Sequence, residues 1–197
     1  MFNFRGIAPP IVTPFDDSGE IEENSLRELI DWWIDNGVAA IVPCGSNGEV
    51  AYMTPEERVE VVEITVDHVG GRVPVIAGTG YPSTHQTITM TEKAKRIGAD
   101  AALVVTPYYY PVSEEGMTEH YERLADSVDM PILLYNVPKF THCNITPQAV
   151  SSLSSVDNIV GIKESSGNLG LVQNILMEAE NPDFDLYAGT GGLFSTI

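Results

Sequence analysis

Short runs of apolar and β-branched residues recur along the chain at intervals of about 30 residues, the length of one βα unit. The seven runs begin near Ile7, Val38, Val73, Ala101, Pro131, Ile159 and Phe184. Hydrophobic residues occupy nearly every position of these runs, which is typical of strands buried on both faces of a parallel sheet that helices cover. The sequence therefore predicts an α/β fold built from seven βα units.

The segments between the runs have the periodicity of amphipathic helices. The two clearest apolar stripes are Leu26, Leu29, Ile30 and Trp33, and Val59, Val62, Val66 and Val69. Residues 54–57 (TPEE) supply a capping threonine, a proline for the first turn and a glutamate that completes a capping box, so a helix is predicted to begin there. Residues 146–147 (TP) predict another such start, and residues 70–71 (GG) predict a helix end.

Periodicity leaves two parallel architectures open, a doubly wound open sheet and a (β/α)8 barrel. A barrel needs eight units and usually about 250 residues, whereas this chain has seven runs in 197 residues. The chain ends at Ile197, shortly after a glycine pair at 191–192 where another helix is expected. We therefore interpret the sequence either as a fragment or as a sheet with two unpaired edges.

The chain is strongly acidic, with 28 acidic and 10 basic residues and a formal net charge of −18 at pH 7. This charge repels nucleic acids and anionic membranes, which excludes both as partners. No apolar run has the roughly 18 residues of a membrane-spanning helix and no signal-peptide pattern opens the chain, so we expect a soluble cytoplasmic protein. The acidity fits either a solvated acidic face or adaptation to high salt.

Cys44 and Cys143 form no CxxC motif and the histidines lack metal-ligand spacing, so free thiols and no metal are expected.

Lys163 is the lysine that directly follows an apolar strand, residues 159–162, at the edge of the sheet where parallel βα folds place their functional residues. Two other lysines lie in a polar helix, and Lys139 lies in a loop. Partial desolvation disfavours the ammonium form and leaves a neutral amine that can attack a carbonyl. The alternative is a strand-end lysine in an ion pair with Glu164 or another acid.

Other strand ends offer further candidates, each with a structural alternative. Tyr135 can face the same cavity and shuttle a proton, or it is a core tyrosine with a satisfied hydroxyl. Residues 45–49 (GSNGE) form a strand-to-helix turn whose glycines let N–H groups converge on a carboxylate, or a tight turn bonded to its own backbone. The glycine-rich segment 189–192 contains no Lys or Arg and is interpreted mainly as structural. The tyrosines at 108–110 indicate a subunit contact or a site wall.

Four motifs occur together in the order and spacing of one superfamily: residues 45–49 (GSNGE), 106–109 (TPYY), 135–138 (YNVP) and 161–164 (GIKE). With them the chain resembles the dihydrodipicolinate synthase/N-acetylneuraminate lyase family of pyruvate-dependent class I aldolases, along its whole length. The resemblance implies a TIM (β/α)8 barrel. Of that barrel, residues 1–197 form one domain of about seven βα units, truncated before the eighth strand and the C-terminal helical segment.

The resemblance also implies a Schiff-base lyase or aldolase that needs no cofactor, because the protonated pyruvate imine on the lysine is itself the electron sink. Lys163 matches the lysine that condenses with pyruvate, and Tyr135 matches the phenol that relays protons. Ser46 and Asn47 lie where family members hold the pyruvate carboxylate. Tyr109 matches a tyrosine that neighbouring subunits donate across a tight dimer, and with Lys163 and Tyr135 it completes the implied catalytic set. The family therefore implies a homodimer or homotetramer with pyruvate and an aldehyde as small-molecule substrates.

The substrate is predicted from two departures from the family pattern. Phe140 stands where synthases of the lysine pathway typically carry an arginine that pairs with the carboxylate of the aldehyde partner, although Lys139 can substitute for it. Asn47 replaces a threonine that is common in those synthases. Both favour a 2-keto-3-deoxy sugar acid aldolase over a synthase that condenses pyruvate with aspartate semialdehyde. The predicted substrate-binding set is Gly45, Ser46, Asn47, Phe140 and Gly189.

Two readings of other classes remain open. One is a truncated, non-catalytic paralogue that serves as a subunit, against which the retention of Lys163, Tyr135 and Tyr109 together argues. The other is a phosphate-binding barrel, for which the strand-end loops lack the basic residues.

Overall fold

The structure, a computed structural model, describes residue 2 and residues 4–193, and these divide into two compact units. The first comprises the described residues of Met1–Thr79 and Met90–Ala102, and the second those of Gly80–Thr89 and Leu103–Ile197. The α-helices are α1 (Glu23–Asp35), α2 (Pro55–Val69), α3 (Thr84–Ile97), α4 (Glu114–Ser127), α5 (Pro138–Thr141), α6 (Pro147–Ser154) and α7 (Leu169–Glu178). The strands are β1 (Ile76–Gly78), β2 (Ala101–Val105), β3 (Ile132–Asn136), β4 (Ile159–Glu164) and β5 (Asp185–Ala188).

In the first unit, the first two predicted strands are reduced to single parallel bridges. The bridges join Pro10 to Val42 and Ile41 to Val75. The runs near Ile7 and Val38 therefore stand at the expected places in chain order, but the prediction of full strands there is wrong. Prolines explain the interruption, because they donate no amide hydrogen to a ladder. The prolines that flank the bridged residues are Pro9, Pro43 and Pro74.

Helix α2 begins at the predicted capping box. The Thr54 hydroxyl accepts from the Glu57 amide at 3.2 Å, and the Glu57 carboxylate accepts from the Thr54 amide at 2.6 Å. The helix ends at Gly70 in the left-handed conformation, as the glycine pair predicted. The buried face differs from the predicted stripe, since Val59 and Val66 are only half-buried. The fully buried face is formed by Arg58, Val61, Val62, Ile64, Thr65 and Val69.

In the second unit, β3, β4 and β5 pair in parallel and in chain order, as the apolar runs predicted. Every residue of β3 is buried, which agrees with a sheet that is covered on both faces. Helix α6 packs against α4, α7 and β4. Across the described residues, no helix combines the length and the apolar character that crossing a bilayer requires.

Gly78, at the end of β1, makes a close approach that only glycine allows. A Cβ atom there would overlap the carbonyl oxygen of Cys44 and come within 2.7 Å of its carbonyl carbon. Backbone atoms cannot swing away as a flexible side chain does, so we expect Gly78→Ala to lower the free energy of unfolding by about 3 kcal/mol. Urea denaturation measures this change. Gly191→Ala, where a Cβ meets nothing within 4 Å, serves as the control, and equal midpoints for both variants would contradict the prediction.

Candidate active site

Lys163 lies inside β4, one residue before the strand ends, rather than after the strand as predicted. Its register partners are Tyr135 in β3 and Tyr187 in β5. Because paired residues of neighbouring strands point to the same face of a sheet, the lysine is flanked by two phenol side chains. The Lys163 Nζ atom lies 4.4 Å from the centre of the Tyr135 ring. The structure thus brings together two of the three residues that were predicted to be catalytic, Lys163 and Tyr135.

Burial of the Lys163 amine lowers its pKa from 10.5 to about 8, because an ammonium ion loses solvation there. With this pKa, roughly a tenth of the molecules carry a neutral amine at pH 7, against roughly one in three thousand at the ordinary value. In the described part of the chain Lys163 forms no ion pair that would offset the effect. The alternative of a salt-bridged strand-end lysine is therefore not what the structure contains.

The Glu164 carboxylate, the expected partner in that alternative, is fully buried and used elsewhere. It accepts a hydrogen bond from the side-chain amide of Asn136 at 2.6 Å and another from the backbone amide of Ser166. Sequence reasoning considered Glu164 only as an ion-pair partner for Lys163 and assigned no role to Asn136, and it did not indicate that these two residues meet. Both are polar residues at strand ends, directly after Tyr135 and Lys163, but their separation of 28 positions in the sequence hid the contact.

Gly189 follows β5 and lies against the end of β4. Its amide donates to the carbonyl oxygen of Glu164 at 2.7 Å, and a Cβ atom there would overlap the hydroxyl of Ser165. The close packing explains why glycine occupies this position. It also agrees with the mainly structural interpretation of the segment, while the role of Gly189 in substrate binding stays a prediction.

Three of the four aromatic residues of the second unit that were predicted to bind substrate or a subunit are exposed, and Tyr108 is half-buried. The rings of Tyr109 and Tyr110 are 82% and 74% exposed and meet edge to face, with centroids 4.8 Å apart. Phe140 is 55% exposed, and the Lys139 Nζ atom lies 5.2 Å from its ring centre. Lys139 belongs to the short helix α5 rather than to a loop, because Pro138 starts a helical turn.

The turn at 45–49 belongs to the first unit. Residues Ser46 and Asn47 are exposed there, and the Asn47 amide donates to the Pro10 carbonyl oxygen at 3.5 Å. Positive φ angles occur at Cys44 and Glu49 instead of at the glycines of the turn. Gly48 is needed for close packing, since a Cβ atom there would lie 2.9 Å from the Ile11 carbonyl oxygen.

The cysteines and the possible metal ligands are dispersed. Cys44 and Cys143 are free thiols, and burial raises the pKa of Cys44 to about 12, so this thiol stays protonated. The Cys143 thiol donates to the Thr106 hydroxyl at 3.4 Å. Among residues 4–193, no three His, Cys, Asp or Glu side chains are grouped as a metal site requires.

Residues 3–197 match the Dihydrodipicolinate synthetase family. A curated relative, the 4-hydroxy-tetrahydrodipicolinate synthase of Syntrophus aciditrophicus, is 49% identical over 173 residues, which cover 88% of this chain and 59% of the relative. Dihydrodipicolinate synthase DapA-2 from Bacillus anthracis superposes with a TM-score of 0.95 at 41% identity, over 98% of this chain and 66% of that one. The chloride-inhibited dihydrodipicolinate synthase from Acinetobacter baumannii, solved in complex with pyruvate, superposes with a TM-score of 0.91 at 36% identity, over 95% and 64% of the two chains.

The chain thus spans between 59% and 66% of the length of these similar proteins. The superpositions, together with the parallel strands and intervening helices, confirm the predicted fold class, the α/β fold of the TIM (β/α)8 barrel.

Proposed function

This chain belongs to the dihydrodipicolinate synthetase family, and on that premise we propose that it is a lysine Schiff-base aldolase that uses pyruvate. The observation that carries the proposal is the desolvated amine of Lys163 against the ring of Tyr135. A lysine with a lowered pKa, held beside a phenol at the end of a parallel strand, has the two groups that imine chemistry needs.

In the proposed reaction, the neutral Lys163 amine attacks the keto carbon of pyruvate, and one water molecule leaves as the protonated imine forms. Loss of a proton from the methyl carbon gives an enamine, whose carbon then forms a bond to an aldehyde carbon. Tyr135 moves protons to and from the keto oxygen and the aldehyde oxygen. Hydrolysis of the new imine releases product and restores the amine. No further cofactor is needed, because the imine nitrogen accepts the electron pair.

Two further assignments in the proposal rest on the likeness of motifs to the family. Ser46 and Asn47 bind the pyruvate carboxylate, and their exposed side chains support this role. Tyr109 contacts a second copy of the chain in a homodimer or homotetramer, and its exposed ring beside Tyr110 supports that role.

For the aldehyde partner, we favour aspartate semialdehyde. The curated relative carries the name 4-hydroxy-tetrahydrodipicolinate synthase, which favours the second of the two substrate readings made from the sequence. Phe140 still favours a 2-keto-3-deoxy sugar acid aldolase, because its exposed ring cannot form a bidentate pair with a carboxylate. Measuring pyruvate consumption with aspartate semialdehyde against glyceraldehyde separates the two. Faster turnover with glyceraldehyde would favour the sugar-acid aldolase over the synthase.

The Schiff base itself is tested by incubation with pyruvate, reduction with borohydride and mass spectrometry. We expect one adduct per chain, mapped to Lys163 by peptide analysis. Borohydride without pyruvate is the control. If folded protein gave no adduct, the proposal would fail and the non-catalytic subunit would become the better interpretation.

The pH dependence of adduct formation follows from the lowered pKa of Lys163. The neutral amine is the attacking form, so the initial trapping rate should rise with pH and level off above about 8. Initial rates of adduct formation by mass spectrometry, with buffers of constant ionic strength, measure the midpoint. A midpoint near the ordinary 10.5 would show that water solvates the amine, contrary to the structure.

A further inference from the structure

Asn136 and Glu164 form a second cross-strand pair, one register step beyond the pair of Tyr135 and Lys163. Successive side chains of a strand point to opposite faces, so the two pairs lie on opposite faces of β3 and β4. Both Asn136 and Glu164 are fully buried. The Asn136 side-chain nitrogen donates to one Glu164 carboxylate oxygen at 2.6 Å. We refer to Asn136 and Glu164 as the polar clamp.

The polar clamp also holds the segments that follow the two strands. The Asn136 side-chain oxygen accepts a hydrogen bond from the Ile145 amide at 3.0 Å. The Asn136 side-chain nitrogen also donates to the Asn144 side-chain oxygen at 3.2 Å. The other carboxylate oxygen of Glu164 accepts from the Ser166 amide. Each polar side-chain atom of the clamp therefore has a partner. These bonds fix the segments that follow β3 and β4.

A buried carboxylate is costly even when it is hydrogen-bonded, and an apolar pair of similar volume would fill the same space at lower cost. Glu164 forms no ion pair within the described residues. The network instead favours one arrangement of the strand ends, in which the donors from Asn136, Ile145 and Ser166 all have their acceptors. Its position beside Lys163 and Tyr135 means that any slip of β4 against β3 would move the amine.

We propose that the polar clamp is a positioning device, which fixes the last register step of β3 and β4 and so holds the Lys163 amine against the Tyr135 ring and away from water. Asn136 and Glu164 are thus positioning residues and do not contact substrate. The effect on imine formation rests on the proposed function, whereas the effect on the amine itself does not.

An exchange of the two functional groups tests the clamp. Glu164→Gln leaves one oxygen where the carboxylate offered two, so either the bond from Asn136 or the bond from Ser166 is lost. Asn136→Asp places two carboxylates face to face. Each single variant therefore breaks the hydrogen-bond network of the clamp. The double variant Asn136→Asp/Glu164→Gln restores it with donor and acceptor exchanged. The carboxylate at 136 can still accept from the Ile145 amide, and the amide oxygen at 164 can still accept from the Ser166 amide.

The first measurement is the pH dependence of Lys163 acetylation by acetic anhydride, followed by peptide mass spectrometry without any substrate. The titratable groups on the same face of the neighbouring strands, Tyr135, Tyr187 and Asp185, are unchanged in all variants. Loss of a carboxylate alone would lower the pKa of a nearby lysine, because the ammonium loses an attractive charge. We expect Glu164→Gln instead to raise the pKa of Lys163 by about one pH unit toward 10.5, because the displaced amine becomes solvated.

The second measurement is the rate of pyruvate trapping by borohydride, far below each melting temperature. A displacement of about 1 Å can lower a rate by about 10²-fold, so we expect a drop of that order in each single variant and recovery to within about threefold in the double variant. Asn158→Ala is the control for lost stability. It removes two side-chain hydrogen bonds just before β4, to the carbonyl oxygens of Ala125 and Val128, and should leave the trapping rate unchanged.

The outcomes separate the two proposals. Absence of a pyruvate adduct in the parent protein overturns the proposed function and leaves the acetylation test of the clamp intact. An unchanged or lowered pKa of Lys163 in folded Glu164→Gln overturns the clamp, as does failure of the double variant to recover. A rate drop in Asn158→Ala equal to that of the single variants would assign the effect to stability and overturn the clamp as well.

Discussion

Replacing Lys163 with methionine is expected to abolish the pyruvate adduct and to lower turnover toward the uncatalysed rate, a loss on the order of 10⁴ or more. Methionine keeps much of the length of the side chain but cannot form an imine, so the loss should be in kcat rather than in KM. Borohydride trapping and an assay of pyruvate consumption measure both effects. Lys139→Met, at an exposed position on α5, is the matched control and should trap pyruvate at the parent rate.

A second, independent prediction for Lys163→Met concerns the stability of the protein. The folded protein holds the Lys163 amine at a pKa below that of the unfolded chain, so protonation of the amine favours the unfolded state at neutral pH. Removing the amine removes this penalty. Lys163→Met should therefore unfold at a temperature at or above that of the parent at pH 7, and inactive but misfolded protein would not satisfy the prediction.

Tyr135→Phe is expected to lower kcat by about 10²–10⁴-fold, the range that general acid–base groups contribute. The ring that packs against the Lys163 amine remains, so the adduct with pyruvate should still form, although more slowly. Tyr121→Phe is the matched control, because it also removes a buried hydroxyl, one that donates to the Val104 carbonyl oxygen at 2.9 Å. It should cost about 1 kcal/mol of stability and leave kcat unchanged. Equal turnover of Tyr135→Phe and the parent would remove Tyr135 from the mechanism.

Features that depend on neighbouring residues could be predicted from the sequence. The capping box of α2 needs only four consecutive residues, and the apolar runs of β3 and β4 report burial directly. The candidate lysine could be selected in the same way, because an apolar strand leads into it. Prolines beside the first two runs explain why those strands shrank to bridges, and this signal was also local.

Features that depend on pairing between distant segments could not be predicted. Asn136 and Glu164 meet only because β3 and β4 pair in one particular register, which periodicity does not define. The same limit applies to Gly78, because its close contact is with the backbone of Cys44, a distant residue in the sequence that has a positive φ angle. Phe140 and Asn47 show a different limit, since these departures from the family pattern favour one substrate whereas the name of the curated relative favours the other.

The Lys163 nitrogen lies over the face of the Tyr135 ring, and this placement affects the stability of a positive charge on that nitrogen. A cation over an aromatic ring gains about 0.5–2 kcal/mol from the negative potential of the ring face. Burial penalises the small, strongly hydrated ammonium more than a larger cation whose charge is spread over carbon and nitrogen. In the proposed reaction, the ring therefore stabilises the positive charge of the imine, while burial disfavours the charged form of the free lysine.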